Sequence, residues 1–175
     1  MPDGWLGIDL TPGRRERSVG ALVDRQFAGI DNAPHLKAQA RQELLDRAKA
    51  AHAAGGLEMF LSLQHVAGVP LPASLAIFLV PPDDTRAVAA DRLAQALDGE
   101  DRQIALVDLP AGRAVRVLRS SGSADEPEST IQEVFVPVPG GGWWLLLTFA
   151  TPFGPLVPAM TKLFDAICAT LRWDQ

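Results

Sequence analysis

Three histidines and one cysteine are the side chains of this 175-residue sequence best suited to metal binding or proton transfer. His35, His52 and His65 never stand three or four residues apart, and no His-Glu-x-x-His pattern occurs. A metal site is therefore not expected. A lone histidine acting as a general base stays open, although no nucleophile lies beside one in the sequence.

Cys168 is the single cysteine, so no intrachain disulfide is expected. A catalytic cysteine needs a nearby base or a helix N-terminus to form the thiolate. Cys168 instead lies towards the end of a predicted terminal helix, where the helix dipole disfavours an anion. We expect a small buried side chain that behaves as an apolar residue.

The glycine run and the carboxylate pairs also lack the neighbouring residues that a catalytic or phosphate-binding motif requires. Gly140–Gly142 leads into a strand and has no following lysine, so a phosphate-binding loop is not expected. No Gly-x-Ser-x-Gly elbow occurs. Asp83-Asp84 fits a helix cap, and Asp125-Glu126 fits a polar loop. The sequence predicts a protein that is not an enzyme, with no catalytic residue, no metal and no cofactor.

Composition limits the partners and the compartment. Hydrophobic residues make up 47% and charged residues 21%, values typical of a globular chain, and we predict a single domain over residues 1–175. The net charge of −5 does not favour nucleic acid, and the basic run Arg14–Arg17 is short. No apolar run reaches the ~20 residues that span a bilayer. We expect no membrane insertion, no secretory signal and a cytoplasmic protein.

Hydrophobic periodicity predicts an α+β fold, in which an antiparallel sheet of about six to seven strands packs between helices. Apolar residues recur at helical spacing in four segments: 19–30, 34–54, 84–97 and 156–171. Strand-like alternation or short apolar runs occur in seven segments: 5–10, 57–66, 74–80, 103–109, 113–119, 131–138 and 143–150. Residues 120–129 are rich in serine and acidic residues and are predicted to form a mobile loop.

The stretch "GGGWWLLLTFATP" combines two tryptophans with an almost wholly apolar run. On a strand, Trp143 and Trp144 point to opposite faces. We expect both to fill the core between the sheet and the final helix. The alternative is an exposed Trp144 at the hairpin end, where it would anchor a partner.

The second half of the chain resembles the Mog1/PsbP-like fold. The resemblance rests on "IQEVFVPVPGGGWWLLLTFATP" followed by "LVPAMTKLFDAICATLRW", a long apolar hairpin and a closing amphipathic helix. "VDLPAGRAVRV" is similar to a strand–turn–strand of small actinobacterial proteins of this kind. The resemblance implies an α/β/α sandwich and a non-enzymatic adaptor, chaperone or assembly factor. It implies no catalytic residues.

Two functional hypotheses follow. The first is a non-catalytic module that binds a protein partner, or forms a homo-oligomer, through loop 120–129, the hairpin tip, segment 152–158 or an unpaired edge strand. The alternative is a small-molecule-binding protein or enzyme with a pocket between sheet and helices that is lined by Arg113, Arg116 and Arg119, although these arginines also suit an exposed, solvated face. The candidate binding residues for the two hypotheses are Trp144, Pro152, Phe153, Arg113, Arg116 and Arg119.

Overall fold

The helices and strands follow the predicted order closely. The computed structural model describes residues 1–29, 32–66, 69–81, 89–123, 126–152 and 154–174. Within these ranges the helices are α1 (Arg15–Gln26), α2 (Pro34–Ala53), α3 (Ala90–Ala96) and α4 (Val157–Ala169). The strands are β1 (Trp5–Asp9), β2 (Gly56–Ser62), β3 (His65–Val66), β4 (Val69–Pro70), β5 (Ser74–Val80), β6 (Arg102–Leu109), β7 (Gly112–Ser123), β8 (Glu126–Pro137) and β9 (Trp144–Thr151).

Seven of these strands form one antiparallel sheet, in the order β1-β2-β5-β9-β8-β7-β6. β3 and β4 form a separate two-stranded pair. The predicted α+β class, with a sheet of about seven strands packed against helices, is confirmed. β5 and β9 lie inside the sheet, which explains why their sequences are apolar on both faces.

Helices cover both faces of the sheet. On β9, Leu147 and Phe149 point towards α4, and they share a buried cluster with Met160, Phe164 and Cys168 of that helix. Residues of opposite parity point the other way. On that second face, α1 and α2 pack over the β1–β2 end, and α3 packs over the β6–β7 end.

The two tryptophans of the hairpin do not share one environment. Trp144 is 5% exposed and packs in the α3 cluster with Leu93 and Val117, so its burial is confirmed. Trp143 precedes β9 and is 37% exposed, so the prediction that both fill the core beneath the final helix is wrong. The strand begins at Trp144, opposite Pro137, and this register leaves Trp143 in the turn.

The predicted loop 120–129 is largely strand. β7 continues to Ser123 and β8 begins at Glu126, with a register shift near the end of the pair. Backbone pairing needs no apolar side chain, so serines extend the ladder beyond the covered core. α3 begins after Ala89, which makes no side-chain cap, and the predicted cap residues 83–84 lie outside the described residues.

Candidate functional site

The three candidate arginines of β7 lie on two faces of the sheet. Strand alternation places Arg113 and Arg119 on the α3 face and Arg116 on the α4 face. A single pocket lined by all three is therefore not formed, and that prediction is wrong. The spacing of the three arginines was enough to predict this arrangement, because residues an odd number of positions apart point to opposite faces of a strand.

Each arginine is paired with a carboxylate. Arg113 Nη2 lies 3.2 Å from Asp91 Oδ1 of α3. Arg119 donates from Nε and Nη2 to the two carboxylate oxygens of Glu133, at 3.3 and 3.2 Å. These contacts hold the guanidinium groups against the protein surface, so they offer little free charge for a ligand.

A polar cluster lies beneath α4. Arg116 Nη1 donates to Asp165 Oδ2 at 2.8 Å, and Gln132 Nε2 donates to Asp165 Oδ1 at 2.8 Å. Gln132 is fully buried, and its Oε1 has no hydrogen-bond partner among the described residues. The adjoining cavity is about 190 Å³ and is bordered by Arg116, Asp165 and Cys168. This volume is smaller than the ~300 Å³ of the smallest usual ligand pockets.

Cys168 borders that cavity but is poorly suited to nucleophilic attack. Burial, and after it the nearby Asp165 carboxylate, raise the pKa of its thiol to about 12, and the opposing effect of Arg116 is smaller. The thiol is therefore protonated at neutral pH, whereas the nucleophile in cysteine chemistry is the thiolate. The geometry supports the expected apolar role of this side chain.

His35 and His52 do not converge. His35 lies in the first turn of α2 and His52 in its last turn, about 25 Å apart along the helix, and both are exposed. Nothing is described for the side chain of His65. Within the described ranges, no three His, Cys, Asp or Glu side chains lie close enough together to hold a metal ion.

The remaining candidates differ in accessibility. Trp144 is buried, so the alternative that it anchors a partner at the hairpin end is wrong; Trp143 is the exposed tryptophan there. Pro152 is exposed. Phe153 lies outside the described residues.

Pro152 borders a cleft of about 380 Å³ between the α1–α2 pair and the ends of the central strands. Leu22, Leu44 and Leu61 supply apolar walls, and Glu43 and Arg47 of α2 lie at its polar side. The volume falls within the range of ordinary ligand pockets. Sequence reasoning missed this cleft because its walls come from six separate segments of the chain.

The outer side of β6 is the most regular open surface of the sheet. β6 pairs with β7 from Arg102 to Leu109 without a bulge, and no described strand pairs with its other side. The five residues from Gln103 to Val107 are uncharged, and Leu106 is 38% exposed. An edge strand of this kind leaves the backbone N–H and C=O groups on its outer side free to pair with another polypeptide.

The β6–β7 turn is held in place by the C-terminal segment. Trp173 Nε1 donates to the carbonyl oxygen of Ala111 at 2.8 Å. Ala111 itself is buried in the cluster beneath α4. A fixed turn keeps β6 in its extended geometry, so that its free side is preorganised for pairing.

The opposite edge of the sheet is better protected. β1 has five residues, compared with eight in β6. The Trp5 amide at its start donates to the Pro2 carbonyl at 3.3 Å, and Asp9 at its end pairs with Arg14 at 3.6 Å. Short edge strands and charges at their ends are the usual protection against strand addition. β6 also has charged residues near its ends, Arg102 and Asp108, but it is longer and has five uncharged residues between them.

None of the helices in the described parts of the chain combines the length and the apolar character needed to cross a membrane. Comparisons of the chain with protein-family models, with curated proteins and with solved structures give no significant match.

Proposed function

We propose that this chain is a non-catalytic protein-interaction module, of the adaptor, assembly-factor or chaperone type, that binds through the open edge of β6. The observation that carries the proposal is the contrast between the two sheet edges. β1 has five residues, whereas β6 has eight, pairs with β7 without a bulge and is uncharged from Gln103 to Val107. Addition of a strand to such an edge is a common mode of polypeptide recognition.

The chemistry of the candidate residues supports the same proposal. Cys168 has a strongly raised pKa, and the three arginines of β7 are paired with carboxylates. The resemblance of the C-terminal half to the Mog1/PsbP-like fold agrees with an adaptor role, although a shared fold alone does not fix function. A single buried thiol fits a cytoplasmic location, which we propose with it.

The test is capture of a polypeptide on the immobilised full chain from an extract of its own host. Leu106→Lys places a charge on the open edge, and Leu57→Lys places the same charge on β2, where Leu57 is 51% exposed at the irregularity between the Gly56 and Glu58 pairs, away from the open edge of β6. We expect the wild type and the Leu57→Lys control to retain the same polypeptide and Leu106→Lys to lose it. Equal retention by both variants, or no retention by any chain, would contradict the proposal.

The cleft beside Pro152 favours a second candidate, a small-molecule-binding protein or enzyme. A specific ligand at about 100 times its Kd would stabilise the fold by about 2.7 kcal/mol, a shift that a thermal screen detects. Ala40→Trp would fill the cleft, because Ala40 lines it. Ala38→Trp is the matched control on the exposed side of α2. Stabilisation that Ala40→Trp abolishes and Ala38→Trp preserves would establish this candidate; no hit in the screen would remove it.

A further inference from the structure

We propose that the polypeptide that binds the β6 edge is a second copy of this chain, an inference that rests on the function proposed above for that edge. The two β6 strands pair antiparallel, about a twofold axis that passes beside Ala105. Two seven-stranded sheets then join edge to edge. The order of the side chains along β6 favours this occupant.

Four side chains of β6 form one row on the α3 face: Arg102, Ile104, Leu106 and Asp108. Ile104 packs beside the α3 cluster, and alternation places the other three on the same side. The row therefore reads positive, apolar, apolar, negative. Arg102 and Asp108 are exposed at its ends, and Leu106 is 38% exposed within it.

This row is complementary to its own reversal. When Ala105 lies opposite Ala105 of the second copy, Arg102 lies opposite Asp108, and Ile104 lies opposite Leu106. Directly opposed residues of antiparallel strands have Cβ atoms about 5 Å apart, which lets each pair interact. The twofold axis repeats every pair, so two ion pairs flank two apolar pairs.

The charges within one copy leave room for these pairs. Arg102 lies opposite Arg119 of β7, and Arg119 is occupied by Glu133. Asp108 lies opposite Arg113, whose guanidinium is directed to Asp91. Arg102 Nη1 donates to the Leu97 carbonyl oxygen at 3.2 Å, but within the described residues neither Arg102 nor Asp108 has an oppositely charged side chain within 4.0 Å. A second copy supplies both partners.

Neighbouring symmetric registers are less favourable. A shift in one direction places Ile104 opposite the Asp108 carboxylate of the second copy, so an apolar side chain meets a charge. A shift in the other direction places the Arg102 guanidinium opposite Leu106 of the second copy, so a charge again meets an apolar side chain. Side-chain order thus selects one register as well as one partner.

Sedimentation of the full chain over a concentration series tests the proposal through charge exchange. We expect the wild type to form a reversible dimer. Arg102→Asp places carboxylates opposite Asp108 at both ends of the seam, and Asp108→Arg places guanidinium groups opposite Arg102. Each single variant should weaken dimerisation about tenfold or more. The double variant R102D/D108R should restore it, because the pairs are reversed.

A mixture of the two single variants gives the sharpest result. R102D supplies carboxylates at both positions and D108R supplies guanidinium groups at both, so the mixture should form a heterodimer that neither variant forms alone. Arg17→Asp on α1, at the far end of the sheet, makes the same charge change and should leave the dimer intact. Unchanged circular dichroism and thermal midpoints will show that the variants fold.

Three outcomes would overturn the inference. They are a wild type that stays monomeric throughout the series, a dimer that R102D and D108R leave unchanged, or a mixture of single variants that stays monomeric. If the chain is monomeric but Leu106→Lys still abolishes capture of a different polypeptide, the second-copy inference fails and the proposed function stands. If Leu106→Lys affects neither, both fail.

Discussion

Phe149 of β9 and Phe164 of α4 stack with their ring centroids 4.6 Å apart and their planes inclined by 19°. Both side chains are fully buried, and they join the closing helix to an inner strand of the sheet. Offset stacking of this kind adds about 0.5–1.5 kcal/mol to the free energy gained from burial alone. The α4 layer, and with it the fixed C-terminal segment, depends on this contact.

Phe164→Ala should therefore destabilise the chain strongly. Removal of a buried phenylalanine from a packed core costs about 3–5 kcal/mol of unfolding free energy. Lys162→Ala, at an exposed position of the same helix, should change it by less than about 0.5 kcal/mol. Urea denaturation of the two variants measures both values. A loss below about 1 kcal/mol for Phe164→Ala would show that α4 does not pack as described.

The neighbouring tryptophans should differ in their access to solvent. Trp143 is 37% exposed and Trp144 is 5% exposed, so iodide should quench the first far more than the second. Trp143→Phe should remove much of the quenchable emission, whereas Trp144→Phe should leave it and lower the thermal midpoint. The reverse assignment would indicate that the hairpin register is shifted by one residue.

Cys168 should make stability depend on pH above neutrality. The thiol pKa is raised from 9.0 to about 12 in the folded chain, first by burial and then by Asp165. Below about pH 9 the thiol is neutral in both states. Between about pH 9 and pH 12 only the unfolded chain loses this proton, so the free energy of unfolding falls as pH rises.

Comparison with Cys168→Ala isolates this effect from the other groups that titrate at high pH. The variant carries a constant penalty for lost packing, but its stability should fall less steeply with pH than that of the wild type. Denaturant unfolding at several pH values from 8 upwards measures the two slopes. Parallel curves would mean that the thiol is not held in its protonated form.

Local patterns in the sequence were enough to predict much of the fold. The alternation in β9 and the helical spacing in α4 predicted the layers that Phe149 and Phe164 join, and the α+β class followed from the order of such segments. Residues 120–129 were predicted wrongly because their polar composition is typical of loops. Their pairing depends on the register of β7 and β8, which no short window contains.

The candidate site was less accessible from sequence because strand order is a non-local property. "QIALVDL" was recognised as a strand, but nothing in it shows that β6 lies at the edge of the sheet. The feature of the sequence that could have identified this row of β6 side chains is its charge order, in which Arg102 and Asp108 flank an uncharged run. Trp143 was predicted to be buried for a related reason: the start of β9 depends on its pairing with β8, and because the strand begins at Trp144, Trp143 lies in the turn.

Residue-resolved hydrogen exchange on β6, followed as a function of protein concentration, tests the central claim most directly. We predict that amides of Arg102–Leu109 on the outer side of the strand exchange rapidly in dilute protein, while those of the inner strands β8 and β9 stay protected. The same outer amides should become protected as the concentration rises or as a captured polypeptide is added. Outer amides of β6 that are protected even in dilute protein, or that stay unprotected under every condition, would contradict an open edge that functions by pairing.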